Sequence, residues 1–217
     1  MSDVSEESKP RRRQARGERR IAQLLHAAAN VFCANGYTAT STNAIAREAH
    51  VSPGTLYQYF PNKEAIAIEL GGRLLHEMRE AHGQAFTAEN LTLPLPELLD
   101  VVVDPMIEFN CANPVFLALM HGSEVPGRIA EEHDALHASL LTSVQEVIAH
   151  YAPALPAEDR SRIAGMTFAI FKGGLGLVLA APEGPERDAT VTELKTVLLR
   201  YLAPLVTDGA VTTSPTR

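Results

Sequence analysis

Two prolines, Pro53 and Pro61, bracket a very short helix in the stretch VSPGTLYQYFPNK. Ser52 is a natural N-cap, and Pro53 suits the first helical position, where its missing N–H costs nothing. Pro61 cannot continue a helix because its ring clashes with the preceding turn. The sequence therefore predicts a helix over residues 53–60 that is too short and too polar to serve only as a core element.

The side chains of this helix divide into two faces. Leu56 and Phe60, four residues apart, share the inward face. The remaining side chains carry hydroxyl, amide and aromatic groups: Thr55, Gln58 and Tyr59 point elsewhere, with Tyr57 at the margin. Thr55 and the tyrosine rings suit contact with thymine methyl groups, and Gln58 suits adenine.

Two further helix starts flank this segment. A preceding helix runs from about Gly17 to Asn35-Gly36, and a following one from Lys63 to about residue 88. The preceding helix has one apolar stripe at helical spacing: Ile21, Leu24, Leu25, Ala28, Val31 and Phe32. Between Gly36 and Ser52 lies a second short helix. Any of three hydroxyl residues is a suitable cap for it: Thr40, Ser41 or Thr42. The order indicates a helix-turn-helix whose second member enters a major groove.

The net charge of −7 conceals a split along the chain. Residues 1–63 hold nine basic and five acidic residues, and the remainder holds ten basic and 21 acidic residues. This asymmetry is typical of a chain whose one end meets a polyanion. Residues 1–17 lack periodicity and predict a flexible basic arm, whose arginines either follow a minor groove or are simply solvated.

Several classes of protein are disfavoured by the sequence. No run of 18 uninterrupted apolar residues occurs, and the N-terminus has no apolar signal segment, so we expect a cytoplasmic chain. Cys33 and Cys111 are too few for a disulfide framework. Two histidine pairs, His76 with His82 and His133 with His137, fit solvent-exposed helix faces better than a metal site. We predict no catalytic residue, no metal and no cofactor.

Residues 21–66 contain the elements AAxxxFxxxGYxxTS and IAxxAxVSxGTLYxYFxNKE. In this order and spacing they closely resemble the DNA-binding region of the TetR (tetracycline-repressor-type) family of transcriptional regulators. The helical patterns along the chain, with no period-2 segment beyond residue 90, predict an all-α fold of about nine helices. Together with the resemblance, they divide the chain into a basic arm (1–17), a helix-turn-helix domain (18–62), an effector-binding and dimerisation domain (63–206) whose linking helix spans 63–88, and a disordered tail (207–217).

The resemblance also implies which residues contact DNA. The recognition helix would begin at Pro53, and the helix starting at Thr40, Ser41 and Thr42 would offer hydroxyls and free N–H groups to a phosphate. Other contacts are implied at Ser52, Gly54, Thr55, Tyr57, Tyr59 and Lys63, with Gln58 as a further candidate.

Family members dimerise through their last two helices, predicted here over 157–181 and 186–206. Apolar stripes on both helices fit a four-helix interface, although one stripe could instead be core within the chain. The candidate interface residues are Thr167, Ile170, Gly174, Leu175, Val178, Leu194, Val197, Leu198 and Tyr201.

The family's C-terminal domain implies a small-molecule sensor. Residues 106–121 combine apolar side chains with two polar ones, Asn110 and His121, which could anchor a ligand. Pockets for hydrophobic or amphipathic effectors have this composition. The candidate lining residues are Met106, Phe109, Asn110, Phe116, Leu117, Met120, His121, Phe168 and Phe171.

The predicted function is a ligand-responsive repressor that binds a palindromic double-stranded DNA operator as a homodimer. Two alternatives stay open: a helical enzyme acting on a small molecule, and a regulator switched by a partner protein. The enzyme is disfavoured because the sequence offers no nucleophile–base pair and the basic N-terminus would have no purpose.

Overall fold

The computed structural model describes residues 8–120 and 126–210, with side chains over 14–120 and 126–206. Within those ranges the chain has nine α-helices, one 3₁₀ turn and no strand, which confirms the all-α prediction. The helices are α1 (Ser8–Ala39), α2 (Thr42–Glu48), α3 (Pro53–Tyr57), α4 (Lys63–Ala85), α5 (Leu95–Ala112), α6 (Val115–Met120), α7 (Gly127–Tyr151), α8 (Ala157–Ala180) and α9 (Pro185–Ala210).

The two ends of the chain are more helical than predicted. α1 begins at Ser8, so the flexible arm expected over 1–17 is wrong from residue 8 onward. This stretch consists largely of Lys, Arg, Gln and Ala, which favour helix, and Pro10 stands in the first turn, where proline is tolerated. α9 continues to Ala210, so the tail predicted over 207–217 is helical at its start. Residues 1–7 and 211–217 lie outside the described residues.

Gly36 ends the regular part of α1, as the sequence predicts. Its φ of 76° and ψ of 162° are not helical, and the turn from Tyr37 to Ala39 follows this break. A positive φ of this kind favours glycine, which has no Cβ to clash with the backbone. The break turns the chain toward Ser41, where α2 is capped.

The chain divides into two compact units. The first takes in the chain up to Leu74 together with Pro114–Glu132, and the second takes in Leu75–Asn113 and the chain from His133 onward. The predicted domain boundary at residues 62 and 63 falls at the start of α4, whereas the division into units falls further along that helix.

The core of the first unit is built on α1. The stripe predicted from helical spacing is buried from Leu24 to Phe32, and Ile45 of α2 and Leu56 of α3 are fully buried as well. Gly71 of α4 lies against α7, since a Cβ added at Gly71 would come within 3.0 Å of the Ile129 side chain. The absence of a side chain at Gly71 is what permits this close approach.

The core of the second unit is formed by α5, α8 and α9. Its buried side chains are Leu95, Leu99, Val103, Ile107, Leu175, Val178, Leu194, Leu198 and Leu202. Lys195 of α9 reaches across to α5, where its Nζ lies 2.8 Å from Asp100 and 2.6 Å from Asp104. These two carboxylates raise the pKa of Lys195 against the opposing effect of burial, so the ion pair is formed at neutral pH.

Candidate nucleic-acid interface

A tight turn sets α3 against α2. His50 has a φ of 52°, in the left-handed region that few residues other than glycine adopt. Its N–H donates to the Arg47 carbonyl at 3.0 Å, and the N–H of Val51 donates to the Ala46 carbonyl at 2.9 Å. Together these bonds form a Schellman motif, which stops α2 and turns the chain directly toward α3.

The carbonyl next to this turn is also held by α1. The side-chain amide of Gln23 donates to the Ala49 carbonyl at 2.7 Å, and Arg20 in turn donates to Gln23 at 2.8 Å. Neither His50 nor Gln23 is marked as a site residue by the sequence. Glycine usually occupies the left-handed position, so no local signal marked His50, and the Gln23 contact joins residues 26 apart in the chain.

α3 begins as the sequence predicts. The Ser52 Oγ accepts the N–H of Thr55 at 3.1 Å, and it also shares a hydrogen bond of 2.9 Å with the Thr55 hydroxyl. The helix ends at Tyr57 rather than at residue 60, although the N–H of Phe60 still donates to the Leu56 carbonyl at 3.0 Å. Leu56 and Phe60 are buried, which confirms the predicted inward face.

The opposite side of α3 is open to solvent. Tyr57 is 52% exposed and Tyr59 is 36% exposed. The exposed set also contains Ser52, Pro53, Gly54 and Gln58, with Thr55 half-buried. A Cβ added at Gly54 would meet only the Ser52 Oγ, at 3.8 Å, so no contact within the chain requires glycine at this position.

A hydrogen bond ties α3 to the first turn of α2. The hydroxyls of Thr42 and Tyr57 lie 3.0 Å apart. Ser41 caps α2 by accepting the N–H of Ala44 at 3.2 Å, so its hydroxyl serves the helix itself. Thr40 is buried and donates to the Gly36 carbonyl at 2.8 Å. The three hydroxyl residues predicted as phosphate contacts therefore have separate local partners, and only Ser41 and Thr42 are accessible.

Lys63 has partners within the chain. Its Nζ donates to the Tyr37 carbonyl at 2.8 Å and to the Thr38 carbonyl at 3.1 Å. It also lies 4.4 Å from the centre of the Tyr37 ring, a cation–π distance. Lys63 thus joins the start of α4 to the turn that follows Gly36. This contact holds α4 against the end of α1, with α2 and α3 between them in the chain.

Exposed arginines lie on the two helices that precede α3 in the chain. Arg47 lies exposed in the last turn of α2, and Arg16 and Arg19 lie exposed on α1. The side chains of Arg11, Arg12 and Arg13 lie outside the described residues. Arginine side chains suit phosphate contacts, and the hydroxyl and amide groups of α3 suit base edges.

The residues predicted to line an effector pocket lie on several elements. In the second unit, Met106, Phe109 and Asn110 are buried on α5, and Phe168 and Phe171 are half-buried on α8. The Phe168 ring meets His137 edge-on with centroids 4.2 Å apart. In the first unit, Phe116 and Met120 are buried on α6 and Leu117 is half-buried. His121 lies outside the described residues.

The residues predicted for a dimer interface separate into two groups. Leu175, Val178, Leu194 and Leu198 belong to the core of one chain, and Thr167 is also buried, so these five are not open to a partner. Gly174 also faces inward, because a Cβ there would lie 2.3 Å from the Leu194 side chain. Ile170 and Tyr201 pack beside this core, and Val197 is exposed. The wide stripes of α8 and α9 contain both a core face and an outer face, which spacing alone did not separate.

Two families of known proteins match the chain. Residues 24–70 match "Bacterial regulatory proteins, tetR family", which covers the helices described above, and residues 94–202 match "Tetracyclin repressor-like, C-terminal domain".

Individual relatives agree with these matches. The HTH-type transcriptional regulator YhgD of Bacillus subtilis (strain 168) is 27% identical over 127 residues, 58% of this chain and 65% of its own. The fatty acid metabolism regulator protein of the same organism is 38% identical over 71 residues, 31% of this chain and 37% of its own. The chain thus spans less than two thirds of these relatives' length.

A solved structure has the same fold. The crystal structure of a TetR-like transcriptional regulator from Rhodococcus sp. RHA1 superposes with a TM-score of 0.68 at 21% identity, covering 85% of this chain and 96% of that one. Taken with the helix-turn-helix geometry and the two family matches, this shows that the chain belongs to the TetR family of transcriptional regulators.

Proposed function

We propose that this regulator is a ligand-responsive repressor that binds a palindromic operator as a homodimer in the cytoplasm. The observation that carries the proposal is the exposed polar face of α3. Its tyrosines are far more exposed than folding requires, and it is held in place by the Thr42–Tyr57 hydrogen bond. A short helix fixed in this way is ready to enter a groove without further ordering.

Within the groove, α3 would use side chains that suit base edges and sugars. Thr55 and the rings of Tyr57 and Tyr59 offer apolar contact to thymine methyl groups, and the Gln58 amide matches adenine. Gly54 allows the backbone to approach the DNA closely. Two such helices related by a two-fold axis would read half-sites one helical turn apart, about 34 Å.

A dimer is supported by the outer face of α8 and α9. Met166 is 50% exposed, Leu177 is 68% exposed and Val197 is 40% exposed, all in the second unit. α8 is long and apolar enough to span a membrane by length and composition alone, yet only 17% of its most apolar window is buried within the chain. A second copy of the chain, related by two-fold symmetry, would cover this apolar surface.

An effector would act through the second unit. The buried residues on α5 suit a hydrophobic or amphipathic molecule, and the relative named as a fatty acid metabolism regulator favours one with an acyl chain. α4 is one continuous helix that contributes to both units, so a change near its end at Ala85 can reach Lys63. A coupling of about 1–3 kcal/mol is enough to change operator occupancy 5- to 150-fold.

Two glycine variants test DNA binding through α3. Gly54→Ala places a methyl group on the exposed side of α3 and leaves the fold intact, because the nearest atom is 3.8 Å away. Gly72→Ala, at an α4 glycine with nothing within 4 Å, is the matched control. In electrophoretic shifts with the chain's own upstream DNA at moderate salt, we expect Gly54→Ala to weaken binding roughly tenfold, about 1.4 kcal/mol. No sequence-specific shift by the parent protein, or equal effects of both variants, would contradict the proposal.

A further inference from the structure

Asn110 is a buried polar residue with one unsatisfied atom. It lies on α5 and is 3% exposed. Its Nδ2 donates to the Met106 carbonyl at 2.8 Å, whereas its Oδ1 has no hydrogen-bond partner among the residues that the structure describes. A buried carbonyl oxygen without a partner is unfavourable, and such atoms in native proteins normally bind a ligand or a water molecule.

The orientation of this amide restricts what can bind to it. Only the nitrogen can donate to the Met106 carbonyl, so the unsatisfied atom is the oxygen. An amide oxygen accepts hydrogen bonds and donates none. Its partner must therefore be a donor, and a carboxylate, which also only accepts, would be repelled.

The buried side chains next to Asn110 on α5 are uncharged, and the charged Glu108 is exposed. Met106, Ile107 and Phe109 are buried and apolar. Methionine adapts its shape readily, so this part of the core can yield to a ligand better than one of branched side chains alone. An apolar body with one uncharged donor matches this environment, because burying a charge without a counter-ion is costly.

A second unsatisfied group of the same unit is also uncharged. His82, near the end of α4, is 5% exposed, and its Nε2 has no partner among the described residues. Burial lowers the pKa of His82 to about 4, so the ring is neutral at pH 7. Among the residues of this unit that the structure describes, the two buried side chains with an unpartnered atom thus offer hydrogen bonds and no positive charge.

We propose that Asn110 Oδ1 is the polar anchor of the effector site, and that the effector is an apolar molecule with an uncharged hydrogen-bond donor, such as a primary amide or an alcohol. This inference rests on the proposed ligand response of the regulator. It restricts the chemistry of that ligand and excludes a carboxylate at this anchor.

Matched eight-carbon probes test the donor requirement. Octanamide and 1-octanol carry a donor, methyl heptyl ether lacks one, and octanoate carries a charge. In calorimetric titrations of the full chain at pH 7.5, we expect the two donors to bind at least about tenfold more tightly than the ether and octanoate. Equal binding of all four probes, preference for octanoate, or no binding of any probe would overturn the anchor.

Two asparagine variants assign the effect to its atom. Asn110→Leu replaces the acceptor with an apolar side chain of similar size. The preference for probes with a donor should then disappear. Asn113, the residue that follows α5, also donates its side-chain amide to the carbonyl four residues before it, that of Phe109, at 3.0 Å, but it is partly exposed, so Asn113→Leu should keep the preference. Retention of the preference by Asn110→Leu would overturn the proposal.

A crystal structure of the parent protein with octanamide gives a result that does not depend on either variant. We expect the amide nitrogen within about 3.2 Å of Asn110 Oδ1. A water molecule alone on Oδ1, with the probe elsewhere, would overturn the inference. Operator shifts with the same proteins report DNA binding separately, so failure of the anchor and failure of the regulator are distinguishable.

Discussion

Lys63 illustrates how a contact within the chain changes the role expected of a single residue. A lysine at the start of a helix beside a recognition element is typical of a phosphate contact. Here its Nζ is bound by the carbonyls of Tyr37 and Thr38 and lies over the Tyr37 ring. The residue therefore serves first to position α4 against the end of α1.

Replacement of Lys63 by methionine tests this role. The variant keeps the apolar stem and loses both hydrogen bonds. We therefore expect the free energy of unfolding to fall by about 1–2 kcal/mol, less than the loss of a fully buried hydrogen bond to a charged group would cause. Urea unfolding measures this change. If Lys63 instead acts as a phosphate contact, stability would be unchanged and the slope of log K against log salt would fall by about 1.

The titration of His82 should make the free energy of unfolding depend on pH. Its pKa is about 4 in the folded chain because of burial, against 6.5 for the ordinary side chain. Between these values the unfolded chain binds a proton that the folded chain does not. The contribution of His82 is therefore neutral above pH 6.5 and becomes increasingly unfavourable as the pH falls toward 4, on the order of 3 kcal/mol.

Comparison of the parent protein with His82→Leu isolates this effect. We expect the stability of the parent to fall relative to the variant as the pH is lowered from 6.5 to 4, since the other titrating groups are common to both. Denaturant unfolding at several pH values measures the difference. The exposed His76 on the same helix supplies the control His76→Leu. A constant difference between parent and His82→Leu would contradict the account.

At the scale of elements, α8 and α9 are held together by close packing at Gly174. A Cβ at this position would lie 2.3 Å from Leu194 Cδ1, which no native contact tolerates. The glycine weakens the helix in isolation and allows α9 to approach α8. The pairing of these two helices thus depends on the absence of one side chain.

We expect Gly174→Ala to lower stability by about 1–2 kcal/mol, because overpacking outweighs the gain in helix propensity. Gly83 on α4 has no described atom within 4 Å of an added Cβ, so Gly83→Ala is the control, with an expected gain of up to about 1 kcal/mol from helix propensity. Thermal unfolding of both variants measures the two changes. Equal stability changes in the two variants would show that Leu194 accommodates the added methyl group and that close packing at Gly174 is not required.

Elements set by local chemistry could be predicted from the sequence, and elements set by distant contacts could not. The Ser52 cap, the break at Gly36 and the buried stripe of α1 all follow from residues within one or two turns. The Thr42–Tyr57 bond joins residues 15 apart, and it depends on the left-handed turn at His50. The apolar stripe of α8 can be identified from the sequence. Which side of the stripe faces the core depends on its contact with Leu194 of α9.

At the scale of the whole molecule, the exposed apolar face of α8 and α9 is the surface proposed to form the dimer. Leu177 is 68% exposed in the single chain, so Leu177→Glu should leave the fold of each chain intact. A buried pair of glutamates would oppose association, since burying unpaired charge is costly. We expect the variant to sediment as a monomer and to lose most of its operator affinity. A variant that remains dimeric would place the interface elsewhere.

Selection from random double-stranded DNA by the full-length parent protein is the most direct test of the central claim, that two copies of α3 read an operator. The account predicts enrichment of an inverted repeat whose half-sites are centred about 10 base pairs apart, one helical turn. Recovery of sequences with no common motif, or of a motif that Gly54→Ala binds as tightly as the parent does, would contradict it.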